Sequence, residues 1–340
     1  MTTKLFSFFA VIAMLLSLLG CGEGPKLTHI QGKTMGTSYS IKVNLPAEQN
    51  KDQLRKGIDA SLVQFDLDLS NWNSESWVTA FNASTSTDWQ KAPPSAMNVL
   101  KACLELHEKS RGAFDVTISP LIETWGFGVR TDDLIPSPED IKKALASMGG
   151  QHLHLDFENS MVKKDIPSLT INTSALAKGY GVDLIAEQLE TLQLKDYMVE
   201  IGGEVRSSGT PPQRDGWNIG IRKPGNGVGT STSDIHSIVT LKNQSMATSG
   251  DYQNFFTHEG QRYSHVLDPN TGRPVKHNLC SVTVLAPTCA LADGLATTCL
   301  VLGTKLSLSW IKLFPHCSIY MIERQKDDTF VTFSSENFPK

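Results

Sequence analysis

The segment "TCALADGLATTCLVLG", residues 288–303, carries the pair of side chains best suited to binding a metal ion. Asp293 and Thr297 are four positions apart, so a helix places them on one face, one turn from each other. Their oxygens are the hard ligands that Mg²⁺ prefers. The alternative is that Thr297 bonds back to the preceding turn while Asp293 points to solvent. The apolar neighbours predict a largely buried helix, where a lone Asp is costly, and this favours the metal site.

A second chemical group lies in "RYSHVLDPNTGRP", residues 262–274. His265 precedes Asp268 and a Pro-Asn-Thr-Gly sequence that is typical of a tight turn between two strands. The pKa of an imidazole lies near neutrality, so His265 is a candidate general base. The alternative is an ordinary hairpin loop in which His265 only completes a strand end.

Three further segments combine signs of ligand binding with signs of ordinary structure: "NTSALAKGYG" (172–181), "RGAFDVTISPLIETWGFG" (111–128) and "YMVEIGGEVRSSG" (197–209). The first predicts a helix N-terminus near Lys178, which suits an anion, although any capped helix start looks similar. In the second, Asp115 lies among aromatic residues that either stack on a heterocycle or fill the core. The Gly-Gly pair of the third permits a close approach to the backbone or a bulge.

Apolar periodicity predicts the elements that must position these residues. Helices are expected over roughly 50–66, 95–110, from Ser137 onward, 174–193 and about 288–302. Strands are expected at "SYSIKVNL" (38–45), "HLHLDF" (152–157), "SLTIN" (168–172), "YMVEI" (197–201), "WNIGI" (217–221), "HSIVTL" (236–241), "CSVTVLA" (280–286), "SIYMI" (318–322) and "TFVTF" (329–333). Helices and strands mix without a regular βαβα order, so we expect an α+β fold with mainly antiparallel sheet.

Composition narrows the classes of function. Without the N-terminal residues 1–20, which contain Lys4, the chain has 30 Lys and Arg against 35 Asp and Glu, so its net charge changes from -4 to -5. No basic patch or charge run indicates a nucleic-acid partner. Beyond Cys21 there are five cysteines without a C-x-x-C pair, so zinc and redox motifs are not indicated. Most of these cysteines are expected to be small buried residues. One disulfide is possible, and the sequence does not indicate which cysteines would form it.

Seven segments occur in order between residues 35 and 303: "MGTSYSIKV", "GAFDVTISPLIETWGFG", "ALAKGYGVD", "EIGGEVRSSG", "ATSGDYQNFF", "YSHVLDPNTGRP" and "ALADGLATTCLVLG". Together they resemble the ApbE family, the FAD:protein FMN transferases. The resemblance implies a two-lobed, T-fold-like α+β arrangement of mostly antiparallel sheets and packed helices, with FAD in the cleft. It also implies a Mg²⁺-dependent transfer of FMN from FAD to a Thr or Ser of a partner flavoprotein, with release of AMP.

The resemblance also implies roles for individual residues. The expected contacts to FAD are Met35, Trp72, Phe114, Asp115, Val116, Ser174, Lys178 and His265. Mg²⁺ is expected on the backbone carbonyl of Ala177 and on the side chains of Asp293 and Thr297. His265 is expected beside the reacting phosphate as the catalytic base. Two positions depart from the family pattern, because Asn172 stands where Asp is common and Trp72 stands where Tyr is common.

The N-terminus predicts export. An uncharged, mostly apolar run from Leu5 to Gly20 follows Lys4 and is shorter than the about 20 residues of a membrane-spanning helix. It ends in "LLGC", which resembles a bacterial lipobox and implies a signal peptide over 1–20, cleavage before Cys21 and lipid on its sulfur. The alternative is an ordinary signal peptide with a chance Cys. We expect a lipid anchor to a membrane facing the periplasm, a tether over 21–29 and a flavin transferase domain over 30–340.

The resemblance suggests an acceptor and leaves two alternative functions. The expected acceptor is an exported subunit of sodium-translocating NADH:quinone reductase or a related electron-transfer protein. A Mg²⁺-dependent FAD pyrophosphatase that yields FMN and AMP would use the same residues with water as the nucleophile. A non-catalytic, exported flavin-binding lipoprotein would bind FAD without turnover.

Overall fold

The computed structural model describes residues 26–128, 135–225, 234–251, 255–258, 261–327 and 329–339. The expected signal peptide and Cys21 lie outside the described residues.

The described residues form strands and helices that alternate irregularly along the chain. The strands are β1 (Lys26–Thr34), β2 (Thr37–Leu45), β3 (Gln90–Lys91), β4 (Leu153–Asp156), β5 (Met161–Lys164), β6 (Tyr197–Ile201), β7 (Glu204–Ser208), β8 (Trp217–Arg222), β9 (Ile235–Leu241), β10 (Ser245–Gly250), β11 (Phe255–His258), β12 (Gln261–Ser264), β13 (Leu267–Asp268), β14 (Arg273–Pro274), β15 (Leu279–Ala286), β16 (Ser318–Arg324) and β17 (Phe330–Ser334). The α-helices are α1 (Lys51–Leu69), α2 (Trp77–Ala83), α3 (Pro94–Lys109), α4 (Ser119–Thr124), α5 (Pro138–Ala146), α6 (Ser174–Thr191), α7 (Cys289–Leu302) and α8 (Thr304–Trp310).

The largest sheet has eight strands in the order β1-β2-β6-β7-β10-β15-β16-β17. All of its neighbouring strands are antiparallel, as the sequence predicts. Successive side chains alternate between its faces, so on β10 Met246 and Ala247 belong to different apolar clusters. On β15, Leu285 and Val284 divide in the same way. The sheet therefore separates two apolar layers.

Helices cover one face of this sheet and a two-stranded ribbon covers the other. On the helical face, Ile58 of α1 and Ile185 of α6 pack in one cluster with β2 and β6. Leu295 of α7 lies in the adjoining cluster with α3, β10, β15 and β16. On the opposite face, the antiparallel β8–β9 ribbon contributes Trp217 and Leu241. Because α6 and α7 share one face, residues on both helices meet in one place.

A smaller apolar cluster supports the loop 262–274. It includes Trp125, which follows α4, Ile141 of α5 and Leu267 of β13. The Trp125 indole Nε1 donates to the carbonyl oxygen of Gly272 at 2.8 Å. Gly272 has a φ of +67°, and a Cβ there would lie 2.6 Å from Ile141 Cγ2. The turn expected between two strands is present between β13 and β14, and the core holds it in place.

The five expected helices are confirmed as α1, α3, α5, α6 and α7, close to their predicted bounds. Ser137 caps α5 as expected, since its hydroxyl accepts from Asp140 N at 3.2 Å. The strand predicted at "SLTIN" is wrong, because side chains take up the backbone groups of that segment. The Asn71 and Asn82 amides both donate to Ile171 O, at 2.8 and 2.9 Å. The partner of β4 is β5 instead.

Two expectations about the rest of the chain, on the tether and on the cysteines, can be compared with the structure. β1 begins at Lys26 and pairs with β2 from Lys26 to Thr34, so residues 26–29 of the expected tether belong to the sheet. All five described cysteines are buried and unpaired, which confirms their reading as small core residues. Across the part of the chain that the structure describes, none of the helices has the length and apolar character to span a membrane.

Candidate active site

The site is built around a contact between α6 and α7. The carboxylate of Asp293 is only 4% exposed, and its Oδ2 accepts a hydrogen bond from Gly179 N at 3.0 Å. A Cβ at Gly179 would lie 2.5 Å from the carbonyl oxygen of Cys289. The absence of a side chain at Gly179 therefore lets α7 approach closely and places the Asp293 carboxylate against the backbone of α6.

Thr297 lies one turn further along α7 than Asp293. Its hydroxyl is within hydrogen-bond distance of Ser249 Oγ, at 3.2 Å, at the end of β10. The hydroxyl that bonds back along the helix belongs to Thr298, which donates to Gly294 O at 2.7 Å. The alternative with a solvated Asp293 and a back-bonded Thr297 is therefore wrong for this structure.

Lys178 adds a positive charge beside the carboxylate of Asp293. Its Nζ lies 2.6 Å from Glu204 Oε1, and the Glu204 side chain is 2% exposed. Within the described residues, the other carboxylate oxygen of Glu204 is buried without a hydrogen-bond partner. The cluster thus holds two carboxyl groups and one ammonium close together in a buried place.

The titration of these groups reflects burial first and charge second. Burial raises the pKa of Asp293, and the nearby Lys178 and the Gly179 N–H oppose this only in part. Burial and then repulsion from Asp293 raise the pKa of Glu204. Burial alone lowers the pKa of Lys178, but Asp293 and Glu204 outweigh it, so the net pKa is raised. A bound cation would offset the electrostatic cost of burying both carboxylates.

The residues present fit a divalent cation that takes oxygen ligands. Asp293 and Thr297 offer a carboxylate and a hydroxyl, and Ala177 precedes Lys178 on the turn of α6 that Asp293 contacts. Among the described residues, no group of three or more His, Cys, Asp or Glu is arranged to hold a metal. Mg²⁺ commonly takes only one or two protein carboxylates and completes its coordination with water or substrate phosphates.

Two turns of the sheet end beside the same part of α6. Met35, at the β1–β2 turn, has a φ of +48°, and its side chain occupies the space next to Gly181 of α6. A Cβ at Gly202, in the β6–β7 turn, would lie 3.2 Å from Lys178 Cδ. The structure thus brings Met35, Lys178 and the Gly-Gly turn together.

The loop with Phe114, Asp115 and Val116 lies against the start of α6. The Phe114 and Val116 side chains are buried in the core, so any contact to a ligand would come from their backbone. Asp115 Oδ1 accepts from Thr117 N at 2.8 Å and its Oδ2 from Gly150 N at 3.3 Å. The Asp115 carboxylate therefore holds its own loop in shape and joins it to the backbone at Gly150.

Trp72 and Ser174 lie at the exposed end of the same region. Trp72 is 77% exposed, which leaves its ring available as a stacking surface. The preceding Asn71 ties this segment to the start of α6, because its Oδ1 accepts from Thr173 N at 2.9 Å. Asn172, at the position where Asp is common, accepts from the N–H of Ser174 at 3.0 Å. The Asn172 side chain thus closes a turn just before α6 and carries no charge.

His265 lies between β12 and β13, half-buried, with its ring 6.3 Å from the Phe127 ring. Asp268 shapes the turn, since its Oδ1 accepts from Asn270 N at 2.9 Å and its Oδ2 from Thr271 Oγ1 at 3.0 Å. The imidazole lies close enough to Asp251 to act on the pKa of that carboxyl. Asp251 is two residues after Ser249 in the chain. The end of β10 therefore contacts Thr297 through Ser249 and lies near His265 through Asp251.

The sequence did not single out Glu204, Ser249 or Asp251 as site residues. All three lie inside the segments that carry the family resemblance, in "EIGGEVRSSG" and "ATSGDYQNFF". Their positions in those segments are the only signal that could have found them, because their contacts are to residues far away in the chain.

Comparisons with known proteins identify the family of this chain. The model of the ApbE family matches residues 35–321, so this chain belongs to the ApbE family. A FAD:protein FMN transferase of Vibrio cholerae is 36% identical over 336 residues, covering 98% of each chain. Another FAD:protein FMN transferase, of Haemophilus influenzae, is 36% identical over 99% of this chain and 98% of its own.

Solved structures of the family have the same fold. The flavin transferase ApbE from Vibrio cholerae superposes with a TM-score of 0.82 at 34% identity, over 92% of this chain and 98% of its own. The apo form of the Pseudomonas stutzeri flavinyl transferase ApbE gives a TM-score of 0.83 at 35% identity, over 92% and 96%. The α+β architecture with antiparallel sheets is therefore that of the ApbE flavin transferases.

Proposed function

We propose that this chain transfers FMN from FAD to a Thr or Ser hydroxyl of a partner protein and releases AMP. The observation that carries the proposal is the buried Asp293 beside Thr297, packed against the turn of α6 that holds Lys178. The similarity to FAD:protein FMN transferases over nearly the whole chain supports FAD as the substrate.

The reaction exchanges the phosphoanhydride bond of FAD for a phosphoester bond to the acceptor. The acceptor oxygen attacks the FMN-side phosphorus of FAD, and the bond from that phosphorus to the bridging oxygen breaks. AMP leaves with the bonding electrons, and the proton of the acceptor hydroxyl passes to the His265 imidazole. An imidazole is largely unprotonated at neutral pH, which suits it to accept that proton.

The other residues bind and orient the dinucleotide. The start of α6, with Ser174, carries the positive end of the helix dipole, which favours an anion, and Lys178, held by Glu204, adds a positive charge. Trp72 offers a ring on which a base stacks, and Met35 and the 114–116 backbone line the same region. Mg²⁺, when held by Asp293, Thr297 and the Ala177 carbonyl, supplies charge neutralisation at the pyrophosphate. Catalysis of this kind depends on positioning and electrostatics.

We also propose that the protein is exported and anchored to a membrane, facing the periplasm, by lipid on Cys21. The apolar run and "LLGC" at residues 18–21 support this. The acceptor would then lie in the same compartment, as an exported subunit of sodium-translocating NADH:quinone reductase would. Fatty-acid labelling tests the anchor: wild-type chain should carry label and sediment with membranes, whereas Cys21→Ala should carry none.

The transfer itself is tested by incubating the chain with FAD, Mg²⁺ and a candidate acceptor. Flavin fluorescence that stays on the acceptor band in a denaturing gel, and disappears when EDTA replaces Mg²⁺, is the expected result. Free FMN and AMP without a labelled protein would identify a pyrophosphatase instead. Unchanged FAD in every sample would identify a binding protein without turnover.

A further inference from the structure

A cavity of about 500 Å³ lies next to the loop that carries His265. β12, β14, the start of β15 and the end of β16 contribute to its wall. Its lining includes five cationic residues and one carboxylate: Arg262, Arg273, Lys276, Arg324, Lys326 and Asp251. Such an excess of one charge is expected to attract an anion.

One of the five cations is already neutralised. Arg262 Nη1 lies 3.2 Å from Asp251 Oδ2, and Arg262 Nη2 donates to Asp251 O at 2.9 Å. The Arg262 guanidinium also lies over the Phe255 ring, 4.1 Å from its centroid. These contacts hold Arg262 and Asp251 together in the wall.

Among the described residues, the remaining cations form no close salt bridge, and Arg324 acts on the Asp251 carboxyl only through its charge at longer range. In the part of the chain that the structure describes, Arg273, Lys276, Arg324 and Lys326 form no ion pair with a carboxylate. Arg324 Nε is buried there without a hydrogen-bond partner, and so is Asp251 Oδ1. The wall therefore offers cationic donors for an anion and one carboxylate oxygen that can accept from an N–H or a hydroxyl. A peptide with an acidic side chain supplies both kinds of group.

The position of the cavity links it to the acceptor rather than to FAD. Ser264, which precedes His265, lines it, and Asp251 is close enough to His265 for the imidazole to act on its charge. The residues expected to contact FAD, apart from His265, do not line it: Met35, Trp72, Phe114, Asp115, Val116, Ser174 and Lys178. The acceptor hydroxyl must reach His265, so its flanking residues must lie on a surface next to that imidazole.

We infer that this cavity binds a carboxylate-bearing segment of the acceptor protein, close in sequence to the Thr or Ser that receives FMN. The inference rests on the proposed transferase function. The unpaired cations bind the acidic side chain, and Asp251 Oδ1 accepts a hydrogen bond from the same segment. The acidic residue of the acceptor thereby sets which hydroxyl lies beside His265.

The test uses two fluorescently labelled peptides, and each contains one Thr. The Thr is flanked on both sides by Asp in the first peptide and by Asn in the second. Binding to the full chain is measured by fluorescence anisotropy. The Asp peptide is expected to bind about tenfold more tightly than the Asn peptide, and salt should reduce the difference. The preference should disappear in the double variant Arg273→Gln, Lys276→Gln, because both residues are exposed and can be changed without disturbing the core.

A matched control removes two exposed lysines of α1 with Lys51→Gln and Lys56→Gln, which changes the net charge equally. This control should keep the preference. Equal binding of both peptides, or a preference that survives in the cavity variant, would overturn the inference. So would a cavity variant that loses FAD affinity and retains peptide affinity, because the cavity would then belong to the dinucleotide.

FMN transfer to the same peptides and to a whole acceptor, followed in parallel, separates this inference from the proposed function. Transfer without any charge preference overturns only the inference. Charge-selective binding together with a complete lack of transfer overturns the proposed function, and with it the role of the segment as an acceptor.

Discussion

The backbone N–H of Gly179 on α6 donates to the buried carboxylate of Asp293 on α7 across a distance of 3.0 Å. This bond joins the two helices at the point where Lys178 and Thr297 lie nearby. It fixes the orientation of a carboxylate whose burial disfavours its charge. The same contact therefore serves the packing of the core and the chemistry of the site.

Close packing at Gly179 predicts a stability defect for Gly179→Ala. The added Cβ would lie 2.5 Å from a backbone oxygen, which cannot move without shifting α7. The free energy of unfolding in urea should fall by about 1–3 kcal/mol. Gly57→Ala on α1 is the control, since its nearest neighbour is the flexible end of Gln188 at 3.0 Å. Equal unfolding midpoints for both variants would contradict the close helix contact.

Asp293→Asn should remove metal binding while the fold remains. An Asn oxygen can still accept from Gly179 N, so the helix contact is kept, but the negative charge that binds a cation is lost. Mg²⁺ affinity should fall by about 10–100-fold or more, and FMN transfer should fall with it. Thermal stability with and without Mg²⁺ provides a readout besides activity. Asp215→Asn, at an exposed position, is the control and should behave as wild type.

Trp72→Ala should weaken FAD binding without a cost in stability. The ring is 77% exposed, so its removal leaves no cavity, but a stacking surface worth about 1–3 kcal/mol per base would be lost. The KM for FAD should rise about tenfold or more while the unfolding midpoint stays constant. Trp89→Ala removes another exposed Trp and should leave KM unchanged. An unaltered KM in Trp72→Ala would show that the ring does not contact FAD.

Glu204→Gln should change how stability depends on pH. The pKa of Glu204 is raised by burial above its ordinary value of 4.5, so the folded chain keeps this proton where the unfolded chain has lost it. The wild-type free energy of unfolding should therefore decrease, relative to the variant, as pH rises above 4.5, by at most about 1.4 kcal/mol per pH unit. Urea unfolding of the wild type and of Glu204→Gln across this pH range measures the difference. The exposed Glu75→Gln is the control for the change in charge. Parallel pH profiles for wild type and Glu204→Gln would contradict the raised pKa.

Regular apolar patterns made most helices predictable from sequence, and among the central strands β6 and β15 but not β7 and β10. α6 and α7 were expected near their actual bounds because long, strongly patterned segments have few alternatives. β1 was not expected, since Ile30 is its only fully buried residue and its pattern is otherwise polar. Its strand structure comes from pairing with β2, which no local pattern reveals.

The failure at "SLTIN" has a different cause. Leu169 and Ile171 are both fully buried and alternate as in a strand. Their backbone groups, however, bond to Asn71, Asn82 and the buried ammonium of Lys164. An extended segment satisfied by side chains looks like a strand in sequence, and only the fold shows which groups bond to it.

The candidate site was predictable only where a local pattern defines it. The spacing of Asp293 and Thr297 defines a helix face, so it could be read locally. The bonds from Asp293 to Gly179 and from Lys178 to Glu204 join distant parts of the chain. The sequence alone also could not show that the Asp115 carboxylate bonds to Thr117 in its own loop, or that Asp251 lies near His265.

The central claim is that Asp293 and Thr297 hold a divalent cation against the pyrophosphate of FAD. Anomalous diffraction from crystals grown with Mn²⁺ and FAD, with Mn²⁺ standing in for Mg²⁺, tests it most directly. We expect a single strong peak within about 2–2.3 Å of one Asp293 oxygen and the Thr297 hydroxyl, and also next to a phosphate oxygen. A peak bound elsewhere, or FAD with its phosphates far from both side chains, would contradict the account.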